Sequence, residues 1–278
     1  MINRVFLTAL LALMAGTAVA ADSAAVFIPG FWDSQAPLRK PDLEAGTPLR
    51  FVTSTDYPPF GFTGPDGTLA GFEVDLAHAV CDELKVPCTI QARPWNDLFP
   101  ALAGQEADAA IASLSITPAS RRLADFTRPY YKTPARFLVR AEAPPLNPTP
   151  ASLAGQRITV AAGTAHEAYL RAFFPQSIIV TLPSPEAARA ALKSGQADLV
   201  FDDGVGAALW LGGPGAAGCC AFRGGPFTES RFFGEGAGIA VRKGDAPLRR
   251  ALDDALARLA RDGRYADLYL KYFPIGFY

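Results

Sequence analysis

The chain has 278 residues, enough for one large domain or two modest ones at roughly 100–200 residues each. Half of the residues are hydrophobic and 19% are charged, with 26 Lys plus Arg against 27 Asp plus Glu. This balance excludes a disordered chain and, with no basic block, gives no footing for sequence-independent nucleic-acid binding; the two histidines, His78 and His166, lie too far apart in sequence to suggest a His-rich metal site.

Residues 1–20 carry one positive charge at Arg4, an apolar run over 5–15 and the small-x-small pattern Ala18-Val19-Ala20. They read as a secretory signal peptide removed after Ala20, because the apolar run falls short of the ~20 residues a spanning helix needs. No cysteine stands at the cleavage point, so no lipid anchor is expected, and the mature chain reads as soluble and exported. Residues 21–48 form an N-terminal extension. From residue 49 strands and helices alternate: strands over 49–55, 88–92 and 107–112, helices over 72–85 and 95–103. A proline-rich stretch at 142–150 intervenes, and the rhythm then repeats with strands over 157–162, 178–182 and 197–201 and helices over 165–174, 185–194 and 204–211. An amphipathic helical region over 247–272, broken near Gly263, ends the chain. Such βαβ alternation predicts an α/β fold with sheets covered by helices.

Export gives the four cysteines a disulfide reading. Cys81 and Cys88 flank a helix-to-strand joint, where a bridge closing the short loop is worth roughly 2–3 kcal/mol. For the adjacent Cys219 and Cys220, a strained ring between the two, free thiols and pairing with another chain all stay open.

The two blocks share more than rhythm. Ala101-Leu-Ala-Gly-Gln-Glu-Ala-Asp108 precedes one apolar strand and Ala191-Leu-Lys-Ser-Gly-Gln-Ala-Asp198 the other, which predicts two similar lobes. Equivalent strands then run into Ser113-Leu-Ser-Ile-Thr117 in one lobe and Asp202-Asp203 in the other, and ligands of open α/β sheets sit beyond such carboxyl ends. Thr117-Pro118 and the capping box Thr164-Ala-His-Glu167 place helix starts there, each a potential anion site. Ser113 and Ser115 add hydroxyls, and Arg121 or Arg122 could add a guanidinium. Asp202 or Asp203 suits an ammonium group, unless it merely caps the following helix. Tyr57, in Tyr57-Pro-Pro-Phe60, and Trp95 follow strand ends and could flank an apolar or planar ligand part. Gly234-Glu-Gly-Ala-Gly238 lacks dinucleotide-loop spacing, and no Walker loop, HExxH or GxSxG occurs.

Several motifs, in order, resemble the family 3 extracellular solute-binding proteins of ABC importers. Gly71-Phe-Glu-Val-Asp-Leu-Ala-His-Ala-Val-Cys-Asp-Glu-Leu84 is similar to the family signature. Tyr57-Pro-Pro-Phe60, Trp95-Asn-Asp-Leu98, Ser113-Leu-Ser-Ile-Thr117, Asp125-Phe-Thr-Arg-Pro-Tyr-Tyr131, Gly163-Thr164, Phe233-Gly-Glu-Gly-Ala-Gly238 and Asp262-Gly-Arg-Tyr-Ala-Asp-Leu-Tyr-Leu-Lys-Tyr-Phe273 complete the match. The Cys81/Cys88 pair also resembles the disulfide of the histidine and lysine/arginine/ornithine binding proteins. The resemblance implies two α/β lobes of the type II periplasmic-binding-protein kind, joined by two hinge strands: lobe 1 over 49–131 and 236–278, lobe 2 over 136–229. It implies Tyr57 and Trp95 beside the ligand side chain, Ser113, Ser115 and the Thr164 region on an α-carboxylate, and Asp203 on an α-ammonium. One departure stands out. The family's carboxylate-binding arginine usually lies three residues after the motif's threonine; here that position is Ser120, and Arg121 comes next, turned by ~100° around a helix.

The expected role is a periplasmic carrier, acting as a monomer and without a cofactor, that captures an amino acid or other small polar metabolite for an ABC permease. A cyclohexadienyl-dehydratase-like enzyme on the same scaffold would need an acid or base, for which His166 and Glu167 are the obvious candidates. A sensor docking on a membrane receptor is the third reading.

Overall fold

The computed structural model describes residues 26–32, 46, 48–273 and 276–277. The expected signal peptide, residues 1–20, lies outside the described residues.

Strand β1 (Leu49–Thr53) leads into a small antiparallel ribbon of β2 (Asp56–Tyr57), β3 (Gly61–Thr63) and β4 (Leu69–Ala70). Then come α1 (Phe72–Leu84), β5 (Cys88–Ala92), a 3-10 turn at Trp95–Asp97, α2 (Leu98–Ala103), β6 (Ala109–Ala110), α3 (Ser120–Leu123) and β7 (Ala124–Tyr131). The chain crosses into β8 (Ala135–Arg140), β9 (Arg157–Ala161), α4 (Ala165–Phe173), β10 (Ile178–Leu182), α5 (Pro185–Lys193), β11 (Leu199–Asp203), α6 (Gly204–Gly212) and β12 (Cys220–Phe227). It returns through α7 (Ser230–Phe233) to β13 (Ala237–Arg242), α8 (Ala246–Arg261) and α9 (Arg264–Tyr272).

Two five-stranded mixed sheets result, ordered β5-β1-β6-β13-β7 and β10-β9-β11-β8-β12. The repeat read from the sequence has one physical basis in both. Arg50 donates its backbone N–H to Asp108 Oδ2 at 3.0 Å and its guanidinium to Asp108 Oδ1 at 2.7 Å. Arg157 does the same to Asp198, at 2.9 and 2.8 Å. Each aspartate opens a central strand and pins the neighbouring one, so the two lobes share a register lock.

The first lobe's core gathers Phe51, Phe60, Phe72, Leu76 and Val80 with Ile239, Leu252, Leu256 and Leu259, which is why α8 lies on α1. These apolar residues recur at helical spacing, and burying each is worth roughly 1.5–3 kcal/mol. The second lobe packs Phe137, Phe201, Tyr169 and Phe174 under α4. Lobe contact near the crossings comes from Val205 and Ala208 of α6, which join Tyr131, Phe273 and Phe277 in the first core.

Local differences from the sequence reading have physical causes. The strand expected over 107–112 is regular only at Ala109–Ala110, and the extended chain ends at Ser113, whose φ is 53°. The helix expected from residue 95 begins instead as the 3-10 turn. Thr117-Pro118 does not start a regular helix: α3 has four residues, and Thr117 and Ser120 bond each other reciprocally, N–H to Oγ, at 3.0 and 3.1 Å. The C-terminal helix breaks where Gly263 takes φ +87°. Cys81 and Cys88 are bridged, with Cα atoms 5.9 Å apart. Cys219 and Cys220 are joined to each other, which resolves the alternatives left open by their adjacency.

Candidate functional site

The principal cavity holds about 430 Å³ and lies where lobe 1 meets both crossings. It is lined by Asp56, Tyr57, Trp95, Ser113, Ser115, Tyr131, Thr133 and the return segment Phe233, Gly234, Gly236 and Ala237. Tyr57 and Trp95 are each 44% exposed, so their rings stand as open walls rather than core. Tyr57 stacks on buried Phe60 at 5.0 Å, and Phe60 on Tyr131 at 4.7 Å, which ties the aromatic wall to the lobe 1 core. Gly236 is required where it stands: at φ +116°, an added Cβ would meet Tyr131 O at 2.7 Å.

The floor is organised by Glu73, a buried acid on the otherwise apolar inner face of α1. Its Oε1 accepts from the Ser113 N–H, from Ser113 Oγ at 2.7 Å and from the Tyr130 hydroxyl. A left-handed non-glycine residue costs roughly 1–2 kcal/mol, and hydrogen bonds to a charged acceptor return about 1.5–3 kcal/mol each, so Glu73 can hold Ser113 in that conformation. Burial pushes the Glu73 carboxyl up to about 7, against the lowering effect of the Ser113 and Tyr130 hydrogen bonds.

Asp203 ends β11 in the second lobe and caps α6, accepting the Gly206 N–H at 2.7 Å. Burial is the main cause that raises its carboxyl to about 6, with Asp202 adding to the rise. Asp202 is held by Arg189 at 2.6 Å in a buried pair. Asp203 is close enough to Tyr57 and Tyr131 for its charge to raise both phenols: burial and Asp203 take Tyr57 to about 12, and Tyr131 rises well above its ordinary value, mainly through burial.

Of the residues singled out by sequence, Tyr57, Trp95, Ser113 and Ser115 line the cavity. Thr164, Asp203 and Arg121 are not among its lining residues. Thr164 caps α4, accepting the Glu167 N–H, while its hydroxyl donates to Ala161 O at 2.8 Å. Arg121 pairs with Glu235 at 2.7 Å on an exposed surface beside the return crossing. Asp56, Tyr131, Thr133, Phe233 and Glu73 were not singled out as site residues. The one usable signal was for Glu73, an acid flanked by Phe72, Val74, Leu76 and Ala77. Among the described residues no group of three or more His, Cys, Asp or Glu side chains could hold a metal ion.

The family model of the bacterial extracellular solute-binding proteins, family 3, matches residues 49–275. The chain belongs to this family. The L-arginine-binding protein of Pseudomonas aeruginosa is 37% identical over 243 residues, covering 87% of this chain and 93% of that protein. The lysine/arginine/ornithine-binding periplasmic protein of Escherichia coli is 32% identical, covering 83% and 89%. An ancestral cationic amino acid solute binding protein of known structure aligns with a TM-score of 0.63 at 30% identity, over 81% of this chain and 95% of that one. Family 3 membership makes the two-lobed arrangement that of a type II periplasmic binding protein and the protein a solute binder.

Proposed function

We propose that the protein captures a small organic cation, a basic α-amino acid foremost, in the periplasm and delivers it to the membrane permease of an ABC importer. One observation carries the choice of charge: Asp56 lines the cavity and no Arg, Lys or His does. The aromatic walls suit a cation as well, since a guanidinium or ammonium over a Tyr or Trp face gains about 0.5–2 kcal/mol. The names of the arginine- and lysine/arginine/ornithine-binding relatives support the same class.

Residues 49–131 with 236–278 move as lobe 1 and residues 136–229 as lobe 2. Tyr57, Trp95, Ser113 and Ser115 receive the ligand on lobe 1, and closure brings Asp203, with Thr164 behind it, over the ligand's ammonium group. The ligand shifts the population toward the closed form only by its differential affinity for that form. Removal of residues 1–20 during export supplies the mature protein, which works as a monomer. Capture without chemistry is supported by the commitments of the two candidate acid–base groups. His166 packs against the Phe201 and Phe233 rings, at 5.9 and 5.2 Å, and burial lowers its pKa. Glu167 is held by the Gly163 N–H at 2.7 Å and by Arg171.

Titration calorimetry on refolded, ligand-stripped protein tests this reading against basic, neutral and acidic amino acids. Micromolar or tighter binding confined to the basic set is expected. Preference for an acidic amino acid, or no binding across the panel, refutes it.

A further inference from the structure

Several of the donors that an α-carboxylate could use are already spent inside the protein. Both Ser113 donors are engaged: its N–H is shared between Glu73 Oε1 and the Tyr130 hydroxyl, and its hydroxyl donates to Glu73 Oε1. The Thr164 hydroxyl donates to Ala161 O. At the start of α4 the protein supplies its own anion, since the Gly163 N–H donates to Glu167 Oε2 at 2.7 Å. At the other helix start Ser120 Oγ takes the Thr117 N–H and donates to Ser115 O at 2.8 Å. Arg121 is neutralised by Glu235. What remains around the cavity is neutral, chiefly the hydroxyls of Ser115, Thr133, Tyr57 and Tyr131 and the Trp95 indole, beside Asp56.

An ammonium or guanidinium therefore meets the Asp56 carboxylate and ring faces, whereas a carboxylate meets no cation and one fixed negative neighbour. Charge-assisted pairs are roughly twice as strong as neutral ones, so a ligand's binding energy concentrates at its cationic ends. We infer that the cleft selects organic cations by their positive groups alone and takes carboxylate-free amines and guanidines about as well as the amino acids that carry the same side chains. The inference rests on the cationic-ligand reading above and names its substrate class more broadly.

The test is titration calorimetry of the stripped, mature protein with two matched pairs: L-arginine against agmatine, and L-lysine against pentane-1,5-diamine. Each amine keeps the α-nitrogen and lacks only the carboxylate. Dissociation constants within tenfold inside at least one pair support the inference. Amino acids that bind while both amines bind more than tenfold weaker overturn it and leave the cationic reading standing. No binding by any of the four overturns both.

Discussion

Glu73 should contribute a large share of the pH dependence of stability between about pH 4.5 and 8, and replacing it with Gln should remove that share. The folded carboxyl sits near 7 because burial penalises its charge, against an ordinary value of 4.5. A raised acid holds its proton more tightly in the folded state than in the unfolded chain. Its contribution is therefore complete below about pH 4.5 and is lost as pH rises through about 7. Some two and a half units correspond to about 3 kcal/mol at 1.36 kcal/mol per unit. For a chain of this size that is on the order of 6–12 °C in Tm. Glu73→Gln keeps an oxygen for Ser113 and the same volume but cannot ionise. Scanning calorimetry of ligand-free wild type and variant at pH 5, 6, 7 and 8 should give curves that converge at low pH and diverge at high pH, the variant being the more stable at pH 8. Other groups oppose or add to the wild-type slope: His166, whose pKa is lowered mainly by burial, and Asp203, raised mainly by burial. These groups are shared by both proteins and cancel in the difference. Parallel curves for the two proteins would refute the assignment of an ionisable, desolvated role to Glu73.

Asp203→Asn should weaken binding of a cationic ligand by about 10–100-fold in calorimetry, the size of one charge-assisted hydrogen bond, while Tm at pH 7 rises rather than falls, because Asn caps α6 as well as Asp does and removes a carboxylate whose charge burial penalises. In the wild type, affinity for such a ligand should fall as pH drops below about 6, where the Asp203 carboxyl takes up its proton; affinity flat down to pH 5 would count against its contact with the ligand. Arg121→Ala should leave affinity within about twofold, because its partner Glu235 is on an exposed surface and such pairs contribute about 0–1 kcal/mol. Replacing Cys81 and Cys88 by serine should cost about 2–3 kcal/mol, on the order of 5–10 °C in Tm, without changing ligand preference.

The register lock was legible because it rests on two backbone-proximal ion pairs, Arg50–Asp108 and Arg157–Asp198, that any similar lobe needs at the same place. The aromatic walls were legible for a related reason: Tyr57 and Trp95 follow strands directly, and a strand's carboxyl end fixes where the next residues stand. Hydroxyl direction was not legible. Ser113 and Thr164 look like donors in the sequence, and only the fold decides that their hydrogens end on Glu73 and Ala161. Thr117-Pro118 was legible as a start but not in its length: Thr117 and Ser120 make the reciprocal bonds of a capped turn and Thr117 O accepts the Arg121 N–H, yet the regular helix that follows is only Ser120–Leu123. The same turn recurs at Thr149 and Ser152 in the second lobe, with N–H to Oγ at 2.9 and 3.1 Å, so it is a property of the repeated lobe rather than of ligand binding.

On the proposed reading, recognition is divided between the two lobes. On lobe 1 the floor is preformed: Ser113 is held left-handed by a buried acid, and Tyr57 leans on Phe60, so little order remains to be imposed by a ligand. On lobe 2 Asp203 is fixed from two sides, through Gly206 in α6 and through Asp202, itself held by Arg189. Adjustment therefore falls to the crossings, where Gly236 packs against Tyr131 too closely to admit a side chain. Preorganised halves lower the ordering cost of binding, at about 0.5–1.5 kcal/mol for each side chain that need not be immobilised. On the proposed reading, discrimination between ligands lies in how far the lobes must close to place Asp203 on a nitrogen, so the distance between a ligand's cationic ends, more than any carboxylate, is the quantity such a cleft would measure.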